Sequence, residues 1–198
     1  MLVFWKQNLV FLSVPKTGTT AMQSALAHKS DMAFRGPPQI KHAPLYRYNR
    51  FLRPMFNKAG GQNPDTLAVI RHPADWLSSW YRYRNRNSLV GHPNSTRGIK
   101  FNDFVLEYCK DNPAPFANVG SQAAYVFDQD GKRATTLLYR YEAQDKLITY
   151  LEGRLDTTIE LKQMNVSPTI PAELSTEVAQ ELIKARAKEF EAWDLSTG

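Results

Sequence analysis

The apolar run Leu9-Val10-Phe11-Leu12-Ser13-Val14 has the length of a strand and no alternation, which suits a strand buried on both faces. Pro15 stops it, a Gly/Thr turn follows, and Ala21-Met22-Gln23-Ser24-Ala25-Leu26 is a good helix sequence, so the plan is strand, tight loop, helix. Thr66-Leu67-Ala68-Val69-Ile70 repeats it, ending at Arg71-His72 and entering a helix at Pro73, which fits a first helical turn because no amide is needed there. Thr135 to Tyr139 and Thr158 to Leu161 are two further strand candidates. Buried strands separated by helices predict an α/β chain, with a central, mostly parallel sheet flanked by helices. Ser175 to Trp193 reads as one amphipathic helix, with Ala179, Leu182, Ile183, Phe190 and Trp193 as its apolar stripe and Glu177, Glu181, Lys184 and Lys188 opposite. Arg186 falls inside that stripe, where its stem is expected to pack while its head reaches water or an acidic partner.

With 198 residues, no internal repeat and no Gly/Ser-rich linker, the chain is expected to form a single domain over residues 1–198. A composition of 42% hydrophobic and 22% charged residues excludes a disordered or collagen-like chain. The lone Cys109 cannot form an intramolecular disulfide, and one cysteine with four histidines offers no zinc-type ligand spacing, so a reducing compartment and no metal are expected. Lys6, Gln7 and Asn8 interrupt the apolar start before it reaches the length of a membrane span, and Pro15-Lys16 is no signal-peptide cleavage site. No membrane span is expected, and the location expected is cytoplasmic. The net charge of +6 points to an anionic ligand or surface without choosing among nucleotide, glycan, lipid and nucleic acid.

Pro15-Lys16-Thr17-Gly18-Thr19-Thr20, between a strand and a helix, has the parts of an anion cradle. Gly18 lets successive amides turn inward, Thr19 and Thr20 add hydroxyls, the helix start adds a positive dipole end, and Lys16 adds a full charge. An ordinary strand-to-helix turn with threonine as the helix cap would use the same Gly-Thr-Thr. An ATP-type loop, G-x-x-x-x-G-K-[ST], puts its lysine after the second glycine, whereas Lys16 comes two residues before Gly18 and the leading glycine is missing. Such enzymes also end a neighbouring strand in an acidic residue that helps hold magnesium. Here the strand ends in Arg71, which would repel a metal and bind another anion, so two anionic groups on one nucleotide are the expected ligand.

On these elements the chain resembles the sulfotransferases that use 3′-phosphoadenosine 5′-phosphosulfate (PAPS). Pro15 to Thr20 resembles that family's 5′-phosphosulfate loop, and Arg71-His72-Pro73 with Ser79 eight residues beyond the arginine is similar to its 3′-phosphate motif. Weaker matches are Lys41-His42-Ala43, Gln122 to Tyr125 with Asp130-Gly131, Tyr141-Glu142 and Asn165-Val166-Ser167. The likeness leans toward the branch of glycan sulfotransferases and their bacterial relatives, and it implies a P-loop-like three-layer fold. Two departures stand out: Ala21 replaces the tryptophan usual in the small-molecule branch, and no Arg-Lys-Gly element lies near the C-terminus. Adenine stacking and part of the 3′-phosphate site are therefore unassigned, with Tyr125, Asn165 and Ser167 open to either a binding or a structural role.

The resemblance implies sulfuryl transfer from PAPS to a hydroxyl or amine of a small-molecule or glycan acceptor, without a metal. Lys16 is then the catalytic cation beside the leaving phosphate, Thr17 to Thr20 hold the 5′-phosphate, Arg71 and Ser79 hold the 3′-phosphate, and His42 is the general base. His72 is expected to cap or buttress the strand end before Pro73, and His28 and His92 lack supporting context. Two other classes compete. A small-molecule or nucleotide kinase would need magnesium and the standard lysine placement. A single-stranded nucleic-acid binder would use the basic and aromatic runs Tyr46 to Arg50 and Trp80 to Arg86. Helical spacing instead puts Trp76, Trp80 and Tyr83 on one side, as a packing face would, so no nucleic-acid partner is expected.

Overall fold

In the computed structural model, which describes residues 1–161 and 170–198, the apolar start of the chain is a hairpin. β1 (Leu2–Phe4) and β2 (Leu9–Phe11) pair antiparallel, and the polar residues Lys6, Gln7 and Asn8 form the turn between them. Asn8 has φ 50°, a left-handed conformation that asparagine tolerates better than most residues, and its amide donates to the Trp5 carbonyl at 3.0 Å. β3 (Met32–Ala33), β4 (Asp65–Ile70) and β5 (Leu137–Arg140) complete a five-stranded sheet in the order β3-β1-β2-β4-β5.

The sheet is mixed rather than mostly parallel. β2, β4 and β5 run parallel, while β1 pairs antiparallel with both β2 and β3. The hairpin accounts for the difference, because a short turn can join only antiparallel strands. Two strand expectations also move. Thr135–Tyr139 shifts to Leu137–Arg140, and Thr158–Leu161 forms no strand; Ile159 there is buried and its amide donates to Glu152 Oε1 at 2.8 Å. Burying one apolar side chain without a ladder is enough to mimic a strand in sequence.

Alternation along each strand divides the buried residues between two faces. Leu2, Phe4, Leu9, Phe11, Leu67 and Val69 pack with Met22 and Leu26 of α1 (Thr19–Leu26). On the other face Val3, Val10, Ala68, Ile70 and Leu138 meet Leu45, Tyr48 and Phe56. These last three lie on a continuous helical stretch that follows the short α2 (Pro38–Lys41): α3 (Leu45–Arg47), a π-helical turn (Tyr48–Leu52) and α4 (Arg53–Gly60). The chain is thus α/β, with helices on both faces of its sheet.

The described residues gather into two compact units. The first is Met1–Arg71, 122–161 and Ala192–Gly198, and the second is His72–Ser121 and 170–191. The second is helical, with α5 (Pro73–Arg84) and α6 (Phe101–Tyr108) burying Trp76, Leu77, Tyr81, Phe104 and Val105. In the first unit, α7 (Gln144–Leu155) adds Leu147, Leu151 and Leu155 to the α1 face of the sheet. The expected single C-terminal helix is two, α8 (Thr176–Ala185) and α9 (Ala187–Asp194). The break is at Arg186, whose backbone leaves the helical region at φ −126°, ψ 39° and whose guanidinium donates to the Tyr108 carbonyl at 2.7 Å and the Lys110 carbonyl at 2.6 Å. Its partners are backbone carbonyls, where water or an acidic side chain was expected. Val178 and Leu182 carry the buried stripe of α8, and Ile183 is exposed.

Candidate functional site

Because β2, β4 and β5 are parallel, their C-terminal ends open on one edge, where open α/β sheets bind ligands. β2 leads into Pro15–Thr20, β4 into Arg71, and β5 into Tyr141. Ile70 pairs with Arg140, so Arg71 and Tyr141 leave the sheet side by side. The Arg71 guanidinium lies over the Tyr141 ring, 4.7 Å from its centre. A Cβ added at Gly18 would lie 3.4 Å from Tyr141 Cε2. Tyr141 therefore stands beside both the loop and the arginine.

The loop is built from two left-handed residues, Lys16 at φ 67° and Gly18 at φ 74°. Glycine adopts this conformation freely, whereas lysine is strained in it. Between them Thr17 is buried, and its hydroxyl donates to the Val14 carbonyl at 2.9 Å, tying the loop to the strand it leaves. Gly18 is exposed and occupies the N-cap position of α1, its carbonyl accepting from the Ala21 and Met22 amides at 3.0 and 3.2 Å. No threonine hydroxyl caps α1. Thr19 is buried, while Pro15, Lys16 and Thr20 are half-buried at the helix start, whose first amides lack intrahelical acceptors and whose dipole is positive.

Arg71 is fixed through its backbone. The buried Gln122 accepts the Arg71 amide on Oε1 at 3.0 Å and donates from Nε2 to the Arg71 carbonyl at 2.9 Å. At the other end of the residue, Arg71 Nε is buried and hydrogen-bonds to no described residue. A buried donor without a hydrogen bond is costly, and a charged donor such as this one bonds most strongly to an anionic acceptor. His72, next in the chain, sets its ring edge-on to Phe190 at 5.9 Å and occupies the N-cap position of α5 through its backbone. Ser79 lies half-buried on α5, in the second unit, whereas the loop, Arg71 and His42 all belong to the first.

His42 follows α2 and is anchored at three points. Its amide donates to the Pro38 carbonyl at 2.8 Å, its carbonyl accepts the Tyr125 hydroxyl at 2.6 Å, and its Nδ1 lies 2.7 Å from the Ser13 carbonyl. A carbonyl only accepts, so Nδ1 carries the hydrogen and Nε2 holds the lone pair. Burial lowers the His42 pKa below the ordinary imidazole value; the Ser13 carbonyl opposes this, and the charge of Lys41 adds to it. The result is a neutral imidazole with a basic nitrogen, anchored to Ser13, three residues before Lys16. Tyr125 is buried and spends its hydroxyl on His42, a structural role. Asn165 and Ser167 lie outside the described residues.

No family model, no curated protein and no solved structure matches the chain.

In the sequence Gln122 and Tyr141 fall only within the weaker family matches, which assign neither a role. A signal was present for Tyr141, since Arg71 and Tyr141 each directly follow a strand, and parallel pairing of those strands makes them neighbours. The basic and aromatic run on α5 is occupied within its own unit. Arg84 is buried and donates to the Pro115 and Asn118 carbonyls at 2.7 and 2.8 Å, Arg82 donates to the Ile170 carbonyl at 2.9 Å, and the Tyr81 hydroxyl donates to the Ile99 carbonyl at 2.8 Å. Burial brings the Arg84 pKa down to about 10. The second unit also contains a cavity of about 470 Å³ lined by Ser121, Lys184, Lys188 and Glu189 among others. Among the described residues no helix is long and apolar enough to cross a membrane, and no three His, Cys, Asp or Glu side chains are grouped to hold a metal ion.

Proposed function

We propose that the chain is a sulfotransferase of P-loop-like fold that moves a sulfuryl group from PAPS to a hydroxyl or amine, with a small molecule or glycan as acceptor. The observation that carries this reading is the pairing of a strained, lysine-bearing loop with the buried, unsatisfied Nε of Arg71 at one sheet edge. Strain of this kind persists where the surrounding structure enforces it, and it concentrates at functional sites. Two cationic groups at that edge suit a nucleotide with two anionic ends.

PAPS supplies the sulfuryl group, and adenosine 3′,5′-bisphosphate is the other product. The loop amides and the start of α1 hold the 5′-phosphate, and Arg71 holds the 3′-phosphate with its orientation set by Gln122. On the resemblance alone, Ser79 gives a hydroxyl to the same 3′-phosphate. The Lys16 ammonium neutralises the charge that grows on the phosphate oxygen as its bond to sulfur breaks. His42 Nε2 takes the acceptor proton as the new oxygen–sulfur or nitrogen–sulfur bond forms, while the Ser13 carbonyl stabilises the imidazolium through Nδ1. The decisive experiment is a thermal-shift comparison of adenosine 3′,5′-bisphosphate with ATP plus magnesium. At about 100 times its dissociation constant the right ligand stabilises the fold by roughly 2.7 kcal/mol. Stabilisation by ATP plus magnesium alone would replace this reading with a kinase.

A further inference from the structure

The positive charge of this chain has one source. Between Met32 and Pro64 there are six cations, Arg35, Lys41, Arg47, Arg50, Arg53 and Lys58, and no Asp or Glu, so this segment accounts for the whole net charge of +6. All other residues together carry 19 cations and 19 acids. The same segment exposes large apolar side chains: Ile40 is 45% exposed, Tyr46 42%, Phe51 61% and Met55 46%.

Local structure gathers these residues. From Leu45 to Gly60 the backbone is helical throughout, and its inner side is spent on the sheet through Leu45, Tyr48 and Phe56. The π-helical turn lengthens the repeat there from four residues to five, so Tyr46 and Phe51 fall on one side, and Met55 follows a normal α turn later. Arg50 lies over the Phe51 ring at 5.3 Å and Arg47 over the Tyr46 ring at 5.6 Å, placing cations beside the apolar groups. Arg47 also donates to the Gln39 carbonyl at 3.1 Å, which ties α2, with Ile40, to the same helix. An exposed helix carrying aromatic and thioether side chains bordered by arginine and lysine has the makeup of a segment that lies in the plane of a bilayer surface.

We infer that the Pro38–Gly60 helical segment is a docking surface for an anionic lipid bilayer, with Phe51 and Met55 entering the interface and the surrounding cations facing lipid headgroups. Charge complementarity selects an anionic partner, and the apolar side chains select one with a hydrocarbon layer, which a dissolved polyanion does not have. Docking requires no turnover, so it is tested apart from sulfuryl transfer.

The test is co-sedimentation of the full chain with vesicles of phosphatidylcholine alone and of phosphatidylcholine mixed with phosphatidylserine. Binding is expected only to the mixed vesicles and should weaken as salt rises from 0.1 M, where charges act over about 10 Å, to 1 M, where they act over about 3 Å. R50E and K58E alter exposed side chains, so circular dichroism should report an unchanged fold, while affinity drops by about fivefold for each cation lost. F51S/M55S, equally exposed, should lose about tenfold with its salt dependence intact. Absence of binding to the mixed vesicles, or equal binding to both kinds, would overturn the inference. So would an F51S/M55S variant that binds like the parent, or tighter capture of heparin or of single-stranded oligonucleotide than of vesicles, since either result would make the surface a site for dissolved polyanions.

Discussion

The left-handed backbone of Lys16 can be separated from its charge by comparing two truncations. Lys16→Ala and Lys16→Gly both remove the ammonium, and they differ only in whether a Cβ must tolerate φ 67°. A residue with a Cβ loses roughly 1–2 kcal/mol in the left-handed region. Glycine gives back about 0.5–1 kcal/mol through the greater freedom of its unfolded chain. The balance favours the glycine variant by about 0.5–1 kcal/mol, the reverse of the usual order at an ordinary helix or strand position. For a chain of this size 1 kcal/mol moves the melting temperature by roughly 2–4 °C, so scanning calorimetry should find Lys16→Gly melting about 2 °C above Lys16→Ala. On the proposed function, sulfuryl transfer should collapse in both, and more in kcat than in affinity for adenosine 3′,5′-bisphosphate, as a cation acting on charge that develops in the transition state requires. An alanine variant that melts at or above the glycine variant would refute the strained conformation. Parental turnover in either would refute the role of the cation.

At Gly18 the same logic has the opposite sign: Gly18→Ala should destabilise by about 1 kcal/mol, since its φ of 74° strains any Cβ, and a melt indistinguishable from the parent would contradict the loop geometry. Arg71→Ala should weaken adenosine 3′,5′-bisphosphate far more than adenosine 5′-phosphate, by roughly 1.5–3 kcal/mol, and equal losses in titration calorimetry would remove Arg71 from the 3′-phosphate. His42 has a lowered pKa, so the acid limb of kcat/KM should have its midpoint below the ordinary 6.5, with the base fully active above it; a midpoint above 6.5 would exclude His42 as the base. The stability contribution has the same sign. The unfolded chain binds the proton more readily, so the share of stability owed to neutral His42 is complete above pH 6.5 and declines as pH falls from there toward the lowered native value.

Local signals located the loop and missed part of the sheet around it. Leu9 to Val14 and Thr66 to Ile70 are long enough to fill both faces of a central strand, and their breakers, Pro15 and Pro73, mark where helices follow. β1 is as apolar as β2, yet the three polar residues between them have the appearance of an interruption in a single segment, because a hairpin turn and a break in an apolar run are written with the same residues. β3 is only Met32 and Ala33, both exposed, a run too short to mark a strand in the sequence. Arg186 misled in another way: helical periodicity continues through it, and what divides α8 from α9 is a pair of distant carbonyls that no local pattern encodes. The candidate site shows the same division. Lys16, Gly18 and Arg71 stand out by spacing, while Gln122 acts through a contact 51 residues away in the chain.

Tyr141 and Gln122 bear on how such a site holds its shape. Arg71 follows a strand and precedes a helix, a position where a side chain is free to swing unless its backbone is held. Gln122 supplies the restraint by bonding both the amide and the carbonyl of the residue, so the direction in which the guanidinium leaves the sheet is set before any ligand arrives. The Tyr141 ring then limits the guanidinium on one side and stands over Gly18 on the other. On the proposed function, an anion that bonds the buried Arg71 Nε satisfies a donor that has no hydrogen bond to any described residue, and that bond adds to affinity. Tyr141→Leu would keep much of the buried volume and lose the electron-rich face, so it should loosen Arg71 without unfolding the sheet. Nucleotide affinity would then fall while the melting temperature of the free protein holds, the separation expected of a residue that positions another.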